Sequence, residues 1–302
     1  MNYESQVRLC AYVASDNRFD AAYEHLAPLL QSDDVELNHQ GEMIRSVLQT
    51  AEAFTGDLNS QEAPEMFSAR WDGPGQPLWC FVGGTGKVTP FAITERYFAQ
   101  KGVGIIVSPR KVINAYKALT QEQLKSELAD YVTSLQKLIE RAQPSTVIVA
   151  GFSRFSLSAT VVAGELKADH CVLLSPVTSI DDQDLTRRRI NKGYKLVRRM
   201  QDILPEEWRD VGRAAKSWPH PATLDVIYAS GRTKDETRLR ITDDMENVRQ
   251  HAIEHWRWHD TFPAVFGTDL FDSLTQDAVT AARAAGGSRA VQRTSSSPVR
   301  AA

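Results

Sequence analysis

The chain has 302 residues, of which 42% are hydrophobic and 24% charged, enough to bury a substantial core in one large domain or a domain with an accessory piece. The formal net charge of -3 supplies no global attraction to nucleic acid. Cys10, Cys80 and Cys171 are scattered, with neither a disulfide framework nor a zinc-ligand spacing, and read as free thiols of a reducing compartment. The opening MNYESQVRLCAY has no basic segment followed by an apolar stretch, and no window approaches the length of a membrane span. A cytoplasmic protein with no metal and no cofactor is expected.

Residues 4–56 read as helices. In DNRFDAAYEHLAPLL, Phe19, Ala22, Leu26 and Leu29 or Leu30 recur at helical spacing. A second helix is expected over 38–55, with Met43, Val47, Leu48 and Ala51 on one face. The helix before NRFDAA, that turn and the helix after it resemble one tetratricopeptide-type hairpin. No second copy follows, and such repeats need stacked neighbours. Residues 1–60 therefore read as an accessory hairpin packed on the main domain, with a surface a protein partner could use.

The composition changes after residue 56. MFSARW, DGPGQ and LWCFV read as strand, turn and strand. Apolar runs then recur at 78–82, 103–107, 146–150, 171–174 and 224–229, separated by amphipathic stretches near 90–101, 121–142 and 155–167. Short β-branched runs alternating with helices predict an α/β fold over 61–280: a mostly parallel sheet with helices on both faces. A helical insertion spans 181–222, HAIEHW near 251–256 is the candidate last strand, and a helix is expected over about 261–276. Residues 281–302 are rich in Ala, Ser and Arg, contain no acid, and read as a disordered tail.

The strand TVIVA runs directly into Gly151-Phe152-Ser153-Arg154-Phe155-Ser156 and a helix. This turn resembles the nucleophile elbow G-x-S-x-G of the α/β-hydrolase superfamily, in which the serine sits on a strained strand-to-helix turn above the sheet. Gly151 meets the demand for a small residue two places before the serine. Phe155 departs from the pattern two places after it, where a ring is expected to push the helix away and misplace the Arg154 N–H. Gly83-Gly84-Thr85-Gly86 follows the strand LWCFV, where that superfamily places its oxyanion loop. The stretch 66–276 resembles a bacterial hydrolase-like family joined to tetratricopeptide segments.

The resemblance implies a triad in the order Ser, Asp, His. Asp235 follows the strand LDVIYA and His259 follows the candidate last strand. Ser153 would be the nucleophile, His259 its base and Asp235 the orienting carboxylate. The N–H groups of Arg154 and of the loop at Gly84 and Thr85 would hold the oxyanion. Rivals remain open: His255 for His259, and Asp225, Asp243 and Asp244 for Asp235. The alternative phosphate-loop reading of VGGTGKVT needs glycine at Phe81 and a hydroxyl at Val88, and fails at both.

Two functions stand against each other. One is a serine hydrolase (esterase or deacylase) or an acyltransferase, taking a small-molecule or saccharide acyl substrate, with Phe155 lining the site. The insertion carries Arg187, Arg188, Arg189, Lys192, Lys195, Arg198 and Arg199. Read as a solvated face it is inert; read as a lid, it would favour an anionic substrate through Arg188 and Arg189. The other function is a non-catalytic protein of the same fold that binds a partner, which Phe155 favours.

Overall fold

A computed structural model describes residues 18–83, 91–108, 120–181, 201–219, 222–230, 247–254, 256 and 261–294. Two helices, α1 (Phe19–Leu30) and α2 (Val35–Glu52), precede the sheet. α2 begins at Val35 because the Asp34 carboxylate accepts the N–H groups of Glu36 and Leu37. The helix that would complete the tetratricopeptide-type hairpin lies outside the described residues.

Eight strands form one sheet: β1 (Ser60–Gln61), β2 (Ser68–Arg70), β3 (Pro77–Phe81), β4 (Gly104–Val107), β5 (Thr146–Phe152), β6 (His170–Leu174), β7 (Thr223–Ala229) and β8 (Val248–Ile253). Their spatial order is β1-β2-β4-β3-β5-β6-β7-β8. From β4 to β8 every pairing is parallel, and only β1 and β2 join the edge antiparallel. MFSARW and LWCFV are thus both strands but not neighbours, because β4 separates them. All six parallel strands end at the same edge of the sheet, which is where open α/β sheets place their ligands.

The alternation along each strand divides the core in two. Trp79, Phe81, Ile105, Ile148 and Val172 face α1, α2, α3 (Phe91–Gln100), α7 (Phe262–Phe266) and α8 (Leu270–Thr294). Leu78, Cys80, Val149, Cys171 and Leu173 face α4 (Gln121–Ala142), α5 (Ser156–Leu166) and α6 (Val211–Lys216). Both faces are buried, as a parallel sheet requires. The N-terminal helices belong to the first core: Leu26, Met43 and Leu48 are buried in one cluster with Trp79 and Phe266. A β-carbon at Gly267 would lie 2.2 Å from the Met43 carbonyl oxygen, so α2 passes directly over the end of α7. Buried polar handles are satisfied across elements: Trp79 donates to Thr275 Oγ1 at 3.1 Å, and Tyr97 to the Phe266 carbonyl at 2.7 Å.

The C-terminal end departs from the composition. α8 continues through Thr294, into the segment read as a disordered tail. Its alanines are strong helix formers, which the tail reading underweighted. Phe271, Leu274 and Ala278 anchor this helix in the core, while Ala281, Arg283 and Ala284 are exposed.

One buried charge cluster ties β6, β7, β8 and α8 together. Asp225, in the middle of β7, is fully buried. His170 and His251 each approach its carboxylate through Nε2, the latter at 2.5 Å, and Arg249 forks onto both oxygens at 2.9 and 2.8 Å. Arg249 also reaches Asp277 of α8 at 2.5 Å. Burial alone would raise the Asp225 carboxyl, but the hydrogen bonds from His170, His251 and Arg249 outweigh it and hold it well below the usual carboxylate range.

Strand β5 leaves the sheet into a single tight turn, Ser153–Phe155, before α5. Ser153 has φ +55, in the left-handed region that non-glycine residues rarely enter. The turn is closed on its far side by the exit of β6, where Val177 N–H donates to the Ser153 carbonyl at 3.0 Å.

Two outcomes follow from these contacts. Asp225→Ala leaves a buried imidazole without its hydrogen-bond partner and a guanidinium without its counter-charge, and should cost about 3–5 kcal/mol in urea unfolding at neutral pH. Because folding lowers the Asp225 pKa, its contribution is fully present above the unfolded value of about 4 and is lost as pH falls through and below it. Asp225→Asn should therefore flatten the acid limb of the stability curve, and an unchanged limb would contradict the assignment. At the turn, Ser153→Ala and Ser153→Gly both delete the hydroxyl, but only glycine relieves the positive φ. The glycine variant should be more stable by about 1 kcal/mol in thermal or urea unfolding. Equal stabilities would show that the turn holds no strain.

Candidate functional site

The carboxyl edge of β5 is built around a close approach. A β-carbon at Gly151 would lie 2.5 Å from Ala159 Cβ and 2.9 Å from the Phe155 carbonyl oxygen. α5 therefore packs on the strand at backbone distance, and Gly151 and Ala159 together allow it. Ser156, the first residue of α5, is also buried beneath this contact. The small-residue demand at the helix side is met by Ser156 and Ala159, one and four places after Phe155.

Phe155 does not push the helix away. Its ring turns out of the strand–helix contact and lies over Gly83, the residue that follows β3 and Val82. A β-carbon on Gly83 would lie 2.6 Å from Phe155 Cδ1 and 3.0 Å from Cε1. Gly83 has φ +75. The ring thus occupies the volume a side chain would need at the start of the glycine loop. Phe155 and Ser153 are both partly exposed, so the turn opens toward solvent.

The floor of this edge is polar and aromatic. Ser175, directly after β6, has φ +43; its N–H donates to the Ile227 carbonyl at 2.7 Å and its hydroxyl to Thr261 Oγ1 at 3.4 Å. Thr261 is fully buried. Phe262 packs against Phe152 at 5.6 Å and Phe81 at 5.7 Å between ring centroids. The chain therefore returns to the exits of β5 and β6 at Thr261 and Phe262.

Of the residues singled out in the sequence, the structure places Ser153, the backbone of Arg154, and Phe155 at this edge. Gly84, Thr85, Asp235, His255, His259, Arg188 and Arg189 lie outside the described residues, as do Asp243 and Asp244. Asp225 is removed as a rival for the orienting carboxylate. In register Ser153 follows Phe152, which pairs with Leu174 and through it with Ile227. Asp225 therefore sits about three residues, roughly 10 Å, back along the sheet. Both its oxygens are engaged by Arg249, His170 and His251. That cluster escaped the sequence reading because its members come from three strands; an aspartate inside an apolar strand was its one visible sign.

No group of His, Cys, Asp and Glu among the described residues could hold a metal ion. Cys80 and Cys171 are buried, and burial raises both thiols above the usual range, away from thiolate reactivity. No described helix is long and apolar enough to cross a membrane. A cleft of about 310 Å³ between α5 and α6, lined by Gly164, Trp208 and Trp218 among others, opens at the far end of α5 from Ser153.

No protein-family model matches the chain, and no curated protein matches it in sequence. Solved structures do resemble it. An esterase of Pyrobaculum calidifontis shares 14% identity over 86% of this chain and 97% of its own, at a TM-score of 0.48. Carboxyl esterase 2 of the mycorrhizal fungus Tuber melanosporum shares 12% over 76% and 87%, at 0.48. Esterase B of Lactobacillus rhamnosis shares 12% over 79% and 97%, at 0.47. Likenesses of this degree assign no activity to this chain. The ordered parallel sheet, covered on both faces, and the strained serine between β5 and α5 make this an α/β-hydrolase fold.

Proposed function

We propose that the chain is a serine hydrolase (an esterase or deacylase) or an acyltransferase, with Ser153 as nucleophile. The observation that carries this reading is the Ser153 backbone: φ +55, partly exposed, at the carboxyl end of a central parallel strand. Such strain persists only where the surroundings over-determine it, and it presents the hydroxyl away from the strand and toward a ligand. A small residue held in a relaxed turn would not need it.

His259 would take the hydroxyl proton, and Asp235 would orient the imidazole and stabilise its charged form. Two connections support those roles. Asp235 lies six residues beyond the end of β7, whose exit is at the same edge as that of β5. Thr261, two residues after His259, hydrogen-bonds Ser175 beside the elbow, which keeps the segment's anchor within the site. Attack of Ser153 Oγ on an acyl carbonyl gives a tetrahedral oxyanion. The N–H of Arg154 and those of the loop at Gly84 and Thr85 are the donors proposed for it. Collapse expels the alcohol, protonated by the imidazolium, and leaves an acyl-enzyme. Water completes hydrolysis; a hydroxyl acceptor, such as that of a saccharide, completes transfer. Arg188 and Arg189 in the basic insertion suit an anionic group on the substrate. The non-catalytic alternative drew on a ring forcing the helix from the strand, and the ring lies elsewhere.

Labelling with a fluorophosphonate probe tests the nucleophile. The wild-type chain should be modified at Ser153, and Ser153→Ala should abolish both labelling and turnover of a simple acyl ester. His259→Ala should do the same with the fold intact, and Asp235→Asn should cost less than either, about 10⁴-fold by analogy with serine proteases. The combined losses should be far from additive. An unlabelled Ser153 in the folded wild type would overturn the proposal. Loss of activity in His255→Ala but not in His259→Ala would move the base to His255.

A further inference from the structure

We propose that Phe155 is a positioning residue for the oxyanion loop: its ring, seated on Gly83, holds the point at which that loop leaves the sheet. The inference rests on Ser153 being a nucleophile, and deepens that reading.

The elbow pattern asks for a small residue at position 155 so that helix and strand can touch. In this chain the touching is done by Gly151 against Ala159 and the Phe155 carbonyl. Position 155 is thereby released from the size limit, and its side chain is free to reach across to the end of β3. There it meets a residue that can receive it. Gly83 has no β-carbon, and the place of one is taken by ring atoms at 2.6, 3.0 and 3.1 Å. The aromatic ring and the missing side chain are complementary across the two segments that a serine hydrolase must bring together.

The backbone gives this contact its consequence. β3 is still held to β5 at Val82, whose N–H donates to the Ala150 carbonyl at 2.9 Å. One residue later, Gly83 turns with φ +75. Because peptide units are planar, the torsions at Gly83 set the direction in which the chain leaves the sheet. Glycine is conformationally permissive, and alone would leave that orientation loosely determined. A ring packed on its α-carbon removes the freedom. Oxyanion donors are effective only when held in place before the charge develops. Phe155 therefore acts on the transition state through Gly83, without touching the reacting atoms.

The test is a four-protein cycle: wild type, Phe155→Ala, Gly83→Ala and the double variant. Each is assayed with p-nitrophenyl acetate for kcat and KM, with the fluorophosphonate for labelling rate, and by thermal melting. Phe155→Ala should lower kcat and labelling by about 10- to 100-fold, up to the cost of a 1 Å misplacement and below the roughly 10²- to 10³-fold cost of losing an oxyanion donor outright. KM should stay within a small factor, because the donors matter little to ground-state binding. A merely structural role would lower Tm and the fraction of chains labelled at the endpoint, which lowers apparent kcat at unchanged KM, but would leave the labelling rate constant of the remaining sites unchanged. Gly83→Ala drives a methyl group into the ring and should fall similarly. In the double variant the methyl has room and only the strain of its positive φ remains, so its loss should be smaller than the two single losses multiplied together. Turnover that rises or stays level in Phe155→Ala, or singles that multiply, would overturn the proposal. A wild type that neither labels nor turns over removes the catalytic reading itself. The melting temperatures then still judge the contact: sub-additive losses support it, and additive losses refute it.

Discussion

The end of β5 and the start of α5 touch at backbone distance, and the rest of the site depends on that contact. Gly151 can have no side chain there, because Ala159 and the Phe155 carbonyl already occupy its place. Only a short turn joins a strand to a helix so close, and a turn that short needs one residue with positive φ. That residue is Ser153. The strain is thus a consequence of packing, and it is sustained by the buried surface of α5, whose Leu157, Ala159, Val162 and Ala163 are all held in the core. Loss of Gly151 would free the serine from its turn by letting the helix drift.

A second constraint works further back along the sheet, about three residues from the open edge. The carboxylate of Asp225 sits among two imidazoles and a guanidinium, in a layer where any unpaired charge would be costly. It pins the start of β6 to β7 and β8, and through Arg249 it meets α8 at Asp277. His170 Nδ1 has no hydrogen-bond partner among the described residues and is buried, which fits a ring held by its other nitrogen alone. The cluster carries no nucleophile and lies away from the open edge. Its role is to hold β7 and β8 in register, and those are the strands from which the proposed acid and base segments depart.

What could be read beforehand follows from which interactions are local. α4 was legible to the residue, over 121–142, because its apolar stripe is long and Thr120 with Gln123 forms a capping box. The elbow was legible because strand, turn and helix are contiguous. α2 starts at Val35 and not at 38, since the Asp34 cap precedes the first apolar position of the stripe. The neighbour of β2 was not legible: adjacency in sequence suggested β3, and the sheet inserts β4. The helical course of α8 through Thr294 was masked by a composition that suits a tail and a helix equally. Ser153 and Phe155 stood out as single positions, but the partner of the Phe155 ring lies 72 residues away at Gly83, and no local pattern joins them.

That pairing changes how the departure from the elbow pattern should be read. A large residue at a position reserved for small ones is destructive when the reserved volume is the only volume available. Here the turn has two neighbours, the strand beneath it and the loop beside it, and a residue may be excluded from the first while filling the second. The strand contact is already complete without position 155. The loop, in contrast, begins with a glycine, the residue type whose torsions are least fixed by its own chemistry. A ring supplied from the elbow couples the two: if α5 shifts, the ring shifts against Gly83. Nucleophile and oxyanion donors must keep their mutual geometry within a fraction of an ångström, and joining their supports through one side chain is a direct way to keep it. In this reading Phe155 is compatible with catalysis because Gly83 is a glycine, and Gly83 must be a glycine both for its φ and for the ring that lies against it.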